Sequence, residues 1–200
     1  MDVVRAVRAD KAQLRARLLR TRRGIPAQER EVAAHALAAT LRGLPECVHS
    51  KAVAAYVSMG SEPGTGPLLG ALHAAGVRVL LPVLLPDNDL DWAEYGGQDA
   101  LERTARGLFE PTGPRLGPDA VTAVQAVLLP GLAVDSRGVR LGRGGGSYDR
   151  ALSRVGRSGT RPALVVVLYA HEVLDTVPAE PHDGAVDAAL TPAGVHRFRT

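Results

Sequence analysis

Four glycines, Gly142, Gly144, Gly145 and Gly146, crowd the run GVRLGRGGGSYDRAL at residues 138–152. Backbone without side chains lets N–H groups converge on an anion. Ser147, Tyr148 and Asp149 can open a helix continuing through Leu152, whose N-terminus adds partial positive charge. Arg140, Arg143 and Arg150 flank the loop and can meet phosphate oxygens with two-pronged hydrogen bonds. The spacing fits neither the dinucleotide fingerprint G-x-G-x-x-G nor the P-loop, which closes on Gly-Lys-Ser/Thr. Two readings stand for the run alone: a phosphate cradle, favoured, and a plain turn.

Three further groups strengthen the cradle. Asp149 follows the loop directly, where a carboxylate can hold a Mg²⁺ bridging nucleotide phosphates. The segment PAEPHDGAVD supplies His182, Asp183 and Asp187 in a loop expected to follow a strand–helix unit at 163–177, and a second carboxylate there would complete a metal site. Lys11 and Arg15 lie four apart, on one face of an expected helix, as a cationic pair able to reach outer phosphates. Each has a plainer reading: Asp149 as a helix cap, Asp183 as a turn residue, Lys11 and Arg15 as a solvated face.

The elements that must position these groups follow from periodicity. Residues 5–23 and 27–41 read as amphipathic helices separated by Gly24, Ile25 and Pro26. The pattern then changes to apolar strand-like runs at 53–59 and 77–85, around a helix at 67–76. Residues 87–118 are polar and turn-rich, with one short strand. A buried strand ends near Pro130, and the continuously apolar 162–170 reads as a strand covered on both faces. Alternating helices and buried strands predict one three-layer α/β domain spanning residues 1–200, with a mainly parallel sheet, an N-terminal helical pair, and ligands at one strand-end edge.

Bulk composition narrows the function classes. The chain has 200 residues, 46% hydrophobic and 22% charged, with no apolar run near membrane-spanning length. Its basic N-terminus lacks a secretory apolar region, and one cysteine, Cys47, cannot form an internal disulfide. These features predict a cytoplasmic protein. Residues 1–30 carry nine Lys and Arg against three acids, a local excess of +6, so the rest carries −3. An RNA-binding module is the competing class for that excess, but aromatics at 4% leave few stacking platforms. Trp92 and Tyr95 have two readings, pocket lining and, favoured, core; Tyr56 is expected as a structural residue of the first strand, and Cys47 as a buried or idle thiol. His171 and His182 lack zinc-type spacing, and His182 is expected as a loop residue.

With these segments in view, the chain resembles the 5-formyltetrahydrofolate cyclo-ligase (5,10-methenyltetrahydrofolate synthetase) family. The resemblance rests on KAQLR (11–15), AYVSMGSEPGT (55–65), FEP (109–111), LLPGLAVDSRGVRLGRGGGSYDRAL (128–152) and VPAEPHDGAVD (177–187). It implies a Rossmann-like α/β/α fold of the NagB/RpiA/CoA-transferase type, and a monomeric enzyme requiring ATP and Mg²⁺ that acts on a reduced folate, with no nucleic-acid or membrane partner. In that family the γ-phosphoryl group passes to the formyl oxygen on nitrogen 5, nitrogen 10 attacks, and phosphate leaves as the ring closes. Carried over, Lys11, Arg15 and the run Arg140, Leu141, Gly142, Arg143, Gly144, Gly145, Gly146, Ser147 and Tyr148 would contact ATP. Asp149 and Asp183 would ligate Mg²⁺. Val57, Glu62, Arg143 and Ser147 would face the folate, with Arg143 between the two ligands as the catalytic cation. Catalysis of this kind needs positioning and charge neutralisation, without a covalent residue.

Three departures are visible. Ser147 stands where the family usually has an aromatic residue, and Glu172 where Gln is common, placing an extra charge near the site. Pro63 and Gly64 replace apolar residues after Glu62. The Ser147 exchange raises the alternative of a nucleotide-binding relative without folate turnover.

Overall fold

The structure, a computed structural model, describes residues 2–180 and 183–198. Helix α1 (Asp2–Gly24) and helix α2 (Ala27–Thr40) meet at Ile25 and Pro26, and Pro26 cannot continue a helix but suits the start of the next. Short α3 (Pro45–Val48), α4 (Gly66–Ala74) and α5 (Ser147–Ser158) complete the α-helices. The strands are β1 (Ala52–Ala54), β2 (Arg78–Leu84), β3 (Leu90–Glu94), β4 (Leu101–Arg103), β5 (Phe109–Pro111), β6 (Ala126–Pro130), β7 (Ala133–Asp135), β8 (Arg140–Leu141), β9 (Ala163–Val167), β10 (Val173–Leu174), β11 (Ala188–Thr191) and β12 (Gly194–Arg197).

Seven strands form one sheet in the order β12-β11-β9-β6-β1-β2-β3. The five inner strands pair in parallel, and β12 and β3 add antiparallel edges. Successive side chains of the inner strands go to opposite faces. Leu128, Val165, Val167, Ala188 and Leu190 join a core with Leu37 of α2 and Leu68, Leu69 and Leu72 of α4. Leu129, Val166 and Ala189 join another with Ala151 and Val155 of α5. The sheet is therefore buried on both faces, which is why its strands read as continuous apolar runs. A third core docks Leu14 and Leu18 of α1 on Leu132, Ala133, Leu141 and Val177, covering the small sheet β10-β7-β8. That small sheet leads directly into the glycine-rich loop.

Two expectations change. The run at 53–59 is a strand only through Ala54; the Ala55 N–H still bonds to the Leu80 carbonyl, but the chain then leaves the sheet. Its apolar residues Tyr56 and Val57 cover a cavity instead. The expected helix before residue 177 is a 3₁₀ turn at Ala170–Glu172 followed by β10. The Glu172 carboxylate takes the Tyr169 N–H and closes the chain after one turn, and β10 then pairs with β7. The polar middle folds as β3 and a separate two-stranded ribbon, β4 with β5.

Leu128, 1% exposed at the centre of the large sheet, tests this account of the core. Leu128→Ala is expected to lower unfolding stability by about 2–5 kcal/mol, read as a reduced urea midpoint with unchanged slope.

Candidate functional site

Beyond the carboxyl ends of the parallel strands β1, β2 and β6 lies a cavity of about 260 Å³. Such an edge is where open α/β sheets present their loops to ligands. One wall is apolar, built from Tyr56, Val57, Pro82, Leu84, Leu90, Leu108 and Phe109. The other is the glycine-rich loop from Gly142 to Ser147, with Arg140, Tyr148 and Asp149. Glu62 and Arg143 line it as well.

The loop is held by arginines. Arg140 Nη1 donates to the Pro130 carbonyl at 3.0 Å and Nη2 to Asp149 Oδ1 at 3.1 Å. Burial lowers the Arg140 pKa, while Asp149 and Asp183 both favour its charge. Arg15 Nε donates to the Gly142 carbonyl at 2.9 Å from outside the loop. Gly144 has φ +94°, a backbone conformation that side chains rarely adopt, so only glycine follows this path without strain. Burial pushes the Tyr148 phenol well up, so at neutral pH it stays protonated.

Across the cavity, Arg143 Nη1 meets Glu62 Oε1 at 3.2 Å, and Glu62 Oε2 accepts the Met59 N–H at 2.8 Å. The loop carrying Glu62 is closed by Ser58 and Thr65, which exchange backbone-to-hydroxyl bonds at 2.9 and 3.0 Å, while the Thr65 hydroxyl donates to the Tyr56 carbonyl. Pro63 is buried in this loop, and Gly64 abuts α2 so closely that a Cβ would fall 2.7 Å from the Ala34 Cβ. The Pro63-Gly64 departure thus packs the loop against α2.

Helix α1 delivers its cations along one face. Lys11 Nζ donates to Glu180 Oε2 at 3.0 Å and Asp183 Oδ2 at 2.5 Å, and Asp183 also accepts the Glu180 N–H. Neither Lys11, Arg15 nor Asp183 lines the cavity, and the Leu141 side chain points into the α1 core. The expected extra charge at Glu172 is corrected. Arg22 (1% exposed side chain) meets the fully buried Glu172 through Nε at 2.6 Å and Nη2 at 2.8 Å, and Nη2 also donates to the Gly131 carbonyl. Burial would lower the Arg22 pKa, yet the Glu172 bonds raise it overall. The pair is closed and inward, away from the cavity.

For a metal, Asp149 and Asp183 offer the hard oxygen donors that suit Mg²⁺. The Asp149 carboxylate is 72% exposed, and its Oδ2 has no hydrogen-bond partner among the described residues. No cluster of three or more His, Cys, Asp or Glu exists among the described residues, so a divalent ion held here would draw its remaining ligands from water and bound phosphates. His182 lies outside the described residues.

The sequence model of the 5-formyltetrahydrofolate cyclo-ligase family matches residues 7–192. The chain belongs to this family. It is 42% identical over 187 residues to the 5-formyltetrahydrofolate cyclo-ligase of Mycolicibacterium smegmatis, covering 91% of this chain and 93% of that protein. The Escherichia coli cyclo-ligase is 33% identical over 174 residues, 85% of this chain and 93% of that one. The NMR structure of Aquifex aeolicus 5,10-methenyltetrahydrofolate synthetase superposes with a TM-score of 0.79 at 30% identity, over 95% of this chain and 93% of that one.

In this cyclo-ligase family member the fold brings the glycine loop, Val57, Glu62 and Asp149 to one cavity. Trp92, Tyr95 and Cys47 are buried in the core, and burial pushes the Cys47 thiol to about 12. Tyr56 is buried but also walls the cavity. Residues not singled out from sequence include Arg22, Phe109 and Asp135. Phe109 carried a signal in FEP and Asp135 in the D-x-x-G turn; Arg22 had only its helical spacing from Lys11 and Arg15. Asp135 is buried and accepts five hydrogen bonds, from the Arg137, Val139 and Val177 N–H groups and from Arg137 Nε and Nη2. It thereby shapes the turn that feeds Arg140. Burial alone would raise its carboxyl, but Arg137 and the backbone donors hold it below the ordinary carboxylate value. A lowered folded-state pKa stabilises the protein above about pH 4 and is lost as acid protonates the folded carboxylate. Asp135→Asn is expected to lower stability at pH 7 by about 1–3 kcal/mol and to flatten the acid limb of the pH–stability profile, followed by thermal melts from pH 7 to 3.

Proposed function

We propose that the chain catalyses the ATP- and Mg²⁺-dependent conversion of 5-formyltetrahydrofolate to 5,10-methenyltetrahydrofolate, with release of ADP and phosphate. The observation that carries the reading is the two-sided cavity: apolar Tyr56, Val57, Leu84 and Phe109 on one side, glycine amides and arginines on the other, joined by Glu62 and Arg143. A flat heterocycle suits the first side and phosphates the second, so one space would hold both reactants in contact.

In this reading the loop from Arg140 to Tyr148, with Lys11 and Arg15 behind it, would bind the triphosphate. Val57, Glu62 and Ser147 would receive the folate, Glu62 accepting from the N–H edge of its pterin. A formyl oxygen on nitrogen leaves poorly as it stands; phosphorylated, it leaves readily when nitrogen 10 attacks the carbon. Arg143 can release Glu62 and neutralise the oxygens in transfer. Mg²⁺ held by Asp149 and Asp183 would supply positive charge against the phosphates. The parallel inner sheet also supports a Rossmann-like fold of the NagB/RpiA/CoA-transferase type. We read the whole chain as one domain, acting as a cytoplasmic monomer on small molecules rather than nucleic acid or membrane.

Purified protein incubated with 5-formyltetrahydrofolate and MgATP is expected to develop methenyl absorbance; its absence at high enzyme concentration would refute the reading. Arg143→Ala should lower kcat by about 10²–10³-fold, the usual cost of one lost transition-state donor. Asp149→Asn should leave the fold intact by circular dichroism and raise the Mg²⁺ concentration needed for half-maximal turnover. An unchanged Mg²⁺ requirement would remove Asp149 from the metal site.

A further inference from the structure

Tyr169 follows the last residues of β9 and is buried between α1 and the loop bearing Glu62. Its backbone N–H donates to Glu172 Oε2 at 2.9 Å. Its ring lies under the Arg22 guanidinium, 5.8 Å from the centroid, and stacks on the His171 ring at an interplanar angle of 10°. The phenol is thus aimed by groups outside the cavity. Its hydroxyl shares its one proton between two successive carbonyls, Ser61 at 3.4 Å and Glu62 at 3.3 Å. These carbonyls belong to a segment outside the helices and strands, which Ser58, Thr65 and the Met59–Glu62 turn close from within, so the phenol adds a tertiary tie onto its backbone. On the far side of that segment the Glu62 carboxylate lines the cavity against Arg143.

None of Arg22, Tyr169 and Glu172 lines the cavity. We infer that Tyr169, clamped by the buried Arg22–Glu172 pair, is a positioning residue that sets the loop carrying Glu62 and so tunes the substrate half of the site. The inference rests on the proposed function for its kinetic meaning, because it takes Glu62 to contact the folate. It also explains why a charge can stand at residue 172. Glu172 spends its charge on Arg22, and the combined unit then fixes the Gly131 carbonyl, the Tyr169 turn and, through the phenol, the 61–62 backbone.

Tyr169→Phe removes one hydroxyl and leaves the stacked ring and the ion pair in place. It is expected to raise KM for 5-formyltetrahydrofolate about 3- to 10-fold, the effect of one lost hydrogen bond, with kcat and the MgATP KM within about 2-fold. In a Glu62→Gln background the same change should add less than about 2-fold, because both act through one group. Hydrogen exchange at the Glu62 amide should quicken in Tyr169→Phe, while amides of β1 stay as protected as in wild type. Equal rises in both KM values, full additivity with Glu62→Gln, or unchanged exchange at Glu62 would each overturn the inference. If the wild-type protein shows no turnover, the proposed function fails, and the exchange measurement still decides whether Tyr169 holds the loop.

Discussion

Arginines and a lysine gather around the site because an acid stands against most of them, while Arg15 spends its donor on the Gly142 carbonyl. Arg22 has Glu172, Arg140 has Asp149, Arg143 has Glu62, and Lys11 has Glu180 and Asp183. These pairs differ in what surrounds them. The Arg22–Glu172 pair is sealed from solvent, where losing one partner would strand a charge at a cost of about 3–5 kcal/mol. The Arg143 and Asp149 side chains are half or more exposed, so their pairs are weakly held and free to exchange partners when an anion or a cation arrives. One class of pair builds the frame, and the other can be rearranged by ligands without unfolding anything.

The large sheet meets the same constraint by geometry. Its parallel inner strands end together, and the loops after β1, β2 and β6 open at that edge. Helix α1 crosses the small sheet instead of the large one, and its apolar residues Leu14 and Leu18 alternate with Lys11, Arg15 and Arg22 at helical spacing. A single rigid element therefore reaches the Asp183 loop, the glycine loop and the Gly131 turn at once.

Much of this was legible in the chain itself, wherever the signal is local. The four glycines between 142 and 146, the helix opened by Ser147 and the apolar run at 162–170 each declare their local structure within a dozen residues. The Arg22–Glu172 pair spans 150 positions, and nothing near Arg22 distinguishes it from the solvated arginines beside it. The strand expected through residue 59 stopped at Ala54 because apolar residues there line a cavity, and hydropathy cannot tell a cavity wall from a sheet face. Tyr169 and Glu172 form a tight turn where a helix was expected, since that turn depends on a partner from α1.

The ribbon of β4 and β5 contributes Leu108 and Phe109 to the apolar wall, yet it belongs to neither of the other sheets. It is fastened to β2 by Glu110, which accepts the Leu84 N–H. Such a piece is modular: lengthening or recolouring its tip would reshape what the chamber admits while every ladder of the seven-stranded scaffold stays as it is. Such changes would fall on the wall opposite the glycine loop and leave its arginines untouched.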